Sequence, residues 1–328
     1  MTWRRFPGSI ERLSGFLIRR ILGLLATVLA ASLVVFIVLE VLPSDPAALM
    51  LGTDARPDTL AALRRELGLD QPSWWRYLVW VGNLLRGDLG ISYTYRVPVS
   101  ELIAARIEVT LPLALLAIGL STSIAIPVGV FSASRRGGAS DTAIMAGAQL
   151  GIAMPNFWLG ILFILVFAVW LGWFPAGGFA GWDKGIGAAL RSLVLPAFAL
   201  ALPQAAILSR VTRASVLDTL GQDYVRTARA KGLTATVALW RHAVPNALIP
   251  VVTILGLQFS FLLAGTVIIE NVFSLPGMGR LMFQAIAQRD LIVVQDLVVL
   301  LATSVIVINF VVDIIYRLLD PRIGAGAQ

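Results

Sequence analysis

Six stretches along the chain are apolar for about 20 residues or more, which is the length of helix needed to cross a bilayer core of about 30 Å. They run Ile21–Leu42, Val109–Ala133, Thr142–Trp170, Gly187–Ser209, Pro245–Ile269 and Leu291–Tyr316. The first is bounded by Arg19 and Arg20 before it and Pro43 after it. At 22 residues it exceeds the apolar part of a secretory signal, about 7–15 residues, and is expected to stay as a first helix. The third is long enough to be tilted or broken near Pro155, which lacks a backbone donor. Shorter patterns fill the connections. Thr59–Leu69 reads as a short helix ended at Gly68. Trp74–Leu85 is aromatic and too short to span, so an interfacial or packed amphipathic helix is expected there.

Basic residues orient these spans. Residues 1–20 hold five arginines, the loop after span two has Arg135 and Arg136, and the loop after span four has Arg210, Arg213, Arg226, Arg229, Lys231 and Arg241. Arg317 and Arg322 follow the last span. The opposite short loops carry only Lys184, Arg280 and Arg289. The positive-inside rule therefore places both termini in the cytoplasm. The intervening external insertion, 43–108, holds seven arginines and eight acids, and a loop of that length translocates regardless of charge. The organisation expected is a cytoplasmic tail (1–20), a first span (21–42), the insertion (43–108), a core membrane domain (109–323) with a cytoplasmic loop at 210–244, and a tail (324–328).

Composition agrees with this pattern and narrows the chemistry. Of 328 residues, 58% are hydrophobic and 14% charged, whereas a soluble domain has about 25% charged residues. The fold class expected is an all-α integral membrane protein. Net charge is +7, which in so apolar a chain reflects arginines beside anionic lipid, not nucleic-acid binding. The absence of cysteine rules out thiolate metal sites and cysteine nucleophiles. A single histidine, His242, is too few for a multi-histidine metal centre. Lys184 and Lys231 are both followed by glycine, so the chain has no P-loop. No catalytic, cofactor-binding or metal-ligating residue is assigned. A membrane enzyme would need a nucleophile–base pair, and a self-sufficient proton-coupled carrier would need an ionisable residue near the midplane. Neither is found.

Two sets of residues remain as candidates. The cytoplasmic run Asp223–Leu233, followed by His242–Asn246, reads as two short helices joined at Gly232. Asp223 can cap the first, Gly232 suits a left-handed turn, and Thr234 or Thr236 can cap the second, which runs toward Pro245. A solvated basic loop is the plainer alternative. Polar residues within spans are the candidate substrate path, because exposing them to lipid is costly. Gln149 and Asn156 are seven apart and should share a helix face. Gln258 and Ser260 lie mid-span five, and Asn309 shares a face with Asp313 in span six. Interhelical hydrogen bonding explains them equally well. Glu40, Glu270 and Asp313 fall near span ends, where an interfacial position suffices.

The loop resembles the EAA loop of bacterial ABC importers, whose pattern is E-A-A, three residues, G, nine residues, I-x-L-P. Arg226, Thr227 and Ala228 take the first three positions, Gly232 the glycine, and His242, Val244 and Pro245 the I, L and P positions. Arg226, Thr227 and His242 depart from the motif. The segments IRRILGLLATVLAASLVVFIVLEVLPSDPA (18–47), ELGLDQPSWWRYLVWVGNLLRGDLGISY (66–93) and YRLLDPRI (316–323) resemble the B-type permease subunit of the dipeptide/oligopeptide/nickel importer family. The resemblance implies a type I-like permease fold in the bacterial inner membrane. It also implies a C-type permease partner, two cytoplasmic ATPase subunits that bind ATP and magnesium, and an extracytoplasmic substrate-binding protein. Asp223, Arg226, Thr227, Ala228, Gly232 and Pro245 would then form the ATPase-coupling elbow. The cargo implied is a peptide or peptide-like solute, including dipeptides, longer peptides, glutathione, opine-like compounds or a nickel chelate.

Overall fold

A computed structural model describes residues 9–41, 46–51, 56–66 and 68–319. The residues at 1–8 and 320–328, including the expected tail 324–328, lie outside the described set, as does the side chain of Asp313. The described secondary structure is helical, apart from one isolated bridge between Ile91 and Pro98. Thirteen helices follow in order: α1 (Ser9–Val41), α2 (Pro46–Leu51), α3 (Pro57–Glu66), α4 (Ser73–Leu85), α5 (Val99–Ser134), α6 (Ala139–Ala153), α7 (Asn156–Phe163), α8 (Ile186–Leu220), α9 (Asp223–Ala230), α10 (Ala235–Ala238), α11 (Val244–Val272), α12 (Met278–Ala287) and α13 (Leu291–Leu319). Segments Ile164–Trp170 and Leu239–Ala243 are π-turns.

Among the described residues five helices are long and apolar enough to cross a membrane, and α6 with the segment Asn156–Trp170 makes a sixth if the pair is one span. That pair is bent by 99°. The break falls at Met154–Pro155, where proline withholds a donor and steers the preceding residue to extended backbone; Met154 has ψ 125. Third-span continuity is thus lost, and Gln149 and Asn156 do not share a helix face.

The described residues fall into two compact units, 1–104 with 282–310 and 105–281 with 311–328. In the first, α4 lies against α1. Glu40 accepts from Ser73 and Arg76 at 2.9 and 3.0 Å, Ser32 and Tyr77 hydroxyls are 3.0 Å apart, and Phe36 meets the Tyr77 ring edge-on. The opposite face of α4 exposes Trp74, Trp75, Leu78 and Leu85, so the expected amphipathic helix packs on one side only. Asp290, just before α13, accepts from the Ser92 hydroxyl and the Thr94 amide and fixes the turn leading into α5.

The second unit is built round α8, 72% of whose most apolar window is buried. Leu193, Ala197 and Leu200 of α8 pack with Leu113 and Ala117 of α5, Leu159 of α7, and Leu262 and Ile269 of α11. Small and branched residues alternate here, which lets the helices approach without polar atoms between them. Helix α8 continues beyond its apolar stretch, through Arg210 and Arg213, to Leu220. Arg213 donates from Nε and Nη2 to the two oxygens of Asp141, each at 2.7 Å, while Ser132 and the Gly137 amide complete that carboxylate's shell. Asp141 is buried. The pair ties α6 to α8 and fixes the turn after α5.

Candidate functional site

The elbow starts where α8 stops at Gly221. Asp223 does not cap α9: Gln222 occupies the cap position without a side-chain bond, and Asp223 is the first helical residue, its carboxylate 3.8 Å from Arg226. Both groups are exposed, so this pair contributes little to stability. An acid in the first turn and Arg229 in the last still match the helix dipole. Val225 is fully buried and anchors the helix, whereas Tyr224, Arg226, Thr227 and Arg229 are exposed and Ala228 is half-buried.

The amides of Lys231 and Gly232 bond the carbonyls of Thr227 and Arg229, both at 3.0 Å. Gly232 has φ +95, a left-handed conformation that favours glycine. Thr234 is the cap of α10, its hydroxyl accepting from Val237 at 3.4 Å; Thr236 is not. Then comes the π-turn Leu239–Ala243, which ends two residues before the exposed Pro245, and a locally widened helix there accommodates a residue with no N–H. Leu239, Ala243, Val244 and Ala247 are buried against Val130 and Ala133 of α5 and Val216 of α8, and Ser215 donates to the Ala247 carbonyl at 2.7 Å. The elbow is therefore anchored by its apolar side to two long helices, and its basic side is open.

The polar residues of the spans fare differently from one another. Gln149 is exposed and accepts from Arg210 at 2.8 Å. Asn156 begins α7, half-buried, with its amide close to Gly265 of α11. Gln258 is buried and donates to the Gln204 carbonyl at 3.0 Å, and its own side-chain oxygen has no hydrogen-bond partner. Ser260 Oγ and Gln204 Oε1 are likewise buried and unpartnered. Asn309, in the first unit, has an unpartnered buried oxygen too. Gln204 carries no pattern that would have flagged it, since it sits one residue after Pro203 in a long apolar helix.

Glu270 is not interfacial. It is fully buried at the end of α11, where one oxygen accepts from the Thr110 hydroxyl at 2.6 Å and the other from the amides of Gly279 and Arg280 at 2.7 and 3.3 Å. Thr110 in turn accepts from the Met278 amide at 2.9 Å. These amides are the free N–H groups at the start of α12, so a carboxylate from α11 satisfies them and complements the dipole. A Cβ at Gly277 would collide with the carboxylate, and one at Gly279 with the Val267 backbone. The compact turn 273–279 thus folds back onto the chain's own helices.

Comparison with known proteins matches this architecture. A family model described as the inner membrane component of binding-protein-dependent transport systems covers residues 125–325, and its amino-terminal companion covers 13–114. A chain of Brucella abortus (strain 2308) named for a peptide transport system permease is 43% identical over 312 residues, 95% of this chain and 99% of that one. The glutathione transport system permease GsiC of Escherichia coli (strain K12) is 39% identical over 308 residues, 94% and 98% of the two chains. Among solved structures, one of inward facing conformations of the MetNI methionine ABC transporter aligns with TM-score 0.51 at 18% identity, over 67% of this chain and 96% of that chain. On the family match and the helical architecture together, the chain belongs to the inner-membrane components of binding-protein-dependent transport systems and is a permease subunit of an ABC importer.

Proposed function

We propose that this permease carries peptides or peptide-like solutes inward across the bacterial inner membrane, driven through the elbow 223–245 by partner ATPase subunits that bind ATP and magnesium. Similarity to permeases named for peptide and glutathione transport supports the cargo class. One observation carries the coupling role: a short helix anchored by Val225 and followed by the buried Leu239, Ala243, Val244 and Ala247, with Tyr224, Arg226 and Arg229 left open. A lever must be rigid toward the body it moves and open toward the body that pushes it. In this reading a C-type permease completes the membrane pore, and an extracytoplasmic binding protein delivers the cargo. Gln149, Asn156, Gln258, Ser260 and Asn309 are the candidate path.

The elbow is tested at its turn. A β-branched residue at φ +95 is strongly disfavoured, and even an ordinary side chain costs about 1–2 kcal/mol there. Gly232→Val is expected to reach the membrane in normal amounts, to lower dipeptide and glutathione uptake about tenfold, and to weaken retention of the ATPase subunits. Arg226→Glu should lose uptake by reversing a charge that faces the partner. Wild-type uptake and retention in Gly232→Val, at matched permease levels, would leave only a solvated basic loop.

Orientation is tested separately, using the absence of native cysteine. Cysteines at the exposed positions Glu101 and Ala176 should react with an impermeant thiol reagent from outside intact cells. One at the exposed Arg136 should react only once the membrane is opened. External labelling at Arg136 would reverse the topology.

A further inference from the structure

A cavity of about 760 Å³ lies in the second unit, between the end of α5, the end of α8 and the elbow. Small-molecule sites span about 300–1,000 Å³. Val130 of α5, Leu220 of α8 and Leu239 of the π-turn pack together and form its apolar wall. Phe131 and Trp240 extend that wall to the surface, at 47% and 56% exposure. An exposed tryptophan at the end of an apolar helix suits the headgroup level of a bilayer.

The lining changes character along α5. Pro127, Val130 and Phe131 belong to a helix long and apolar enough to cross a membrane, Ser134 is its last residue, and Arg135 follows it. From Pro127 to Arg135 the lining therefore passes from apolar to cationic over about 12 Å of helix axis. Arg135 and Arg229 are the charged residues of this cavity, and no acid lines it. Neither arginine has a carboxylate partner among the described residues. The Arg135 guanidinium stands over the Phe131 ring, 5.5 Å from its centroid, a contact that steadies the group and leaves its in-plane N–H donors for an anion.

These features together select the occupant. A cation would be repelled by both arginines. A small soluble anion would satisfy them and leave the apolar wall bare, and a soluble protein segment would have to follow α5 into its membrane-crossing stretch. A molecule with a phosphate at one end and hydrocarbon beginning within about 12 Å of it meets both halves of the lining. We propose that this cavity holds an anionic phospholipid, its phosphate against Arg135 and Arg229 and its acyl chains along Pro127, Val130 and Phe131. Arg135 follows α5 and Arg229 lies in the last turn of α9, so a lipid seated there bridges the membrane body to the elbow. The assignment rests on the lining alone and is independent of the coupling role given to the elbow above.

The test is native mass spectrometry of the full chain, delipidated in a non-ionic detergent and titrated with phosphatidylglycerol or phosphatidylcholine of identical acyl chains. The first phosphatidylglycerol is expected to bind at least about tenfold tighter than phosphatidylcholine. Arg135→Gln and Arg229→Gln should each weaken it roughly fivefold, and the double variant should bring it to the phosphatidylcholine level. Both positions are exposed, so these variants keep the fold. Ser134→Glu, which adds a negative charge to the lining with both arginines in place, should weaken phosphatidylglycerol and spare phosphatidylcholine. Arg136→Gln, at an exposed neighbour outside the cavity, should bind as the wild type does. Equal affinity for the two lipids, or wild-type phosphatidylglycerol affinity in the double variant, would overturn the assignment. An Arg136→Gln effect as large as that of Arg135→Gln would reduce the preference to general surface charge and overturn it too. Displacement of the lipid by millimolar inorganic phosphate would make the occupant a free anion. Loss of ATPase retention in the double variant with lipid binding intact would give the arginines to the partner protein instead.

Discussion

Glu270→Ala is expected to abolish uptake and to lower the thermal midpoint of the solubilised chain by roughly 5–10 °C. The carboxylate accepts from Thr110, Gly279 and Arg280 in a site with no exposure. Without it the buried Thr110 hydroxyl and Gly279 amide lose their acceptor, each at a cost of about 1–3 kcal/mol, and so does the half-buried Arg280 amide. The 273–279 turn should become sensitive to protease in the variant, because those amides hold the start of α12. Glu270→Gln keeps the shape and one acceptor oxygen, so it should fall between the wild type and Ala. Gly279→Ala approaches the same site sterically, by forcing a methyl into the Val267 backbone, and should give the same protease sensitivity with the carboxylate intact. A Glu270→Ala chain with wild-type melting and an uncut turn would show that the network does not hold the loop.

Breaking the Asp141–Arg213 pair should have an effect of similar size. The two 2.7 Å bonds are bidentate, a geometry that the guanidinium supplies and an ammonium does not. Arg213→Ala leaves a buried carboxylate with only Ser132 and the Gly137 amide, and removing one partner of a buried pair is far worse than replacing both. The expected results are loss of most uptake and a clear drop in melting midpoint for Arg213→Ala, with little rescue by Arg213→Lys. The double variant Asp141→Asn/Arg213→Ala, read against Arg213→Ala and Asp141→Asn alone, should recover most of the midpoint, since no unpaired charge remains. The interaction energy from that double-mutant cycle is the measurement. Additive single effects, with no recovery in the double variant, would place the role of these residues elsewhere.

The candidate residues differ in how far local sequence predicts their setting. Gly232 was legible because its need is local: a basic helix must stop, and a left-handed turn stops it. Thr234 was legible as one of two caps for the same reason. Asp223 is not the cap its position suggests, because the chain turns one residue earlier, at Gln222, just after α8 ends at Gly221 and with Val225 buried. Gln149 and Asn156 share a face only in one straight helix, and the chain bends by 99° at Pro155.

The sequence by itself determined the membrane class, the number and order of the apolar segments, the basic elbow and the absence of a P-loop, because each depends on composition, on a run of neighbours or on a short spacing. Tertiary structure alone decided what the polar residues do. Glu270, placed at a span end, became the buried acceptor for a loop nine and ten residues further on and for Thr110 in another helix. Arg213, counted among loop charges, became the partner of a buried Asp141 seventy-two residues away. Asp296, unremarkable in an apolar run, became a half-satisfied acid behind Trp80. A buried charge is stable only where donors converge on it, and such convergence depends on which helices pack together, information that no local window of sequence contains.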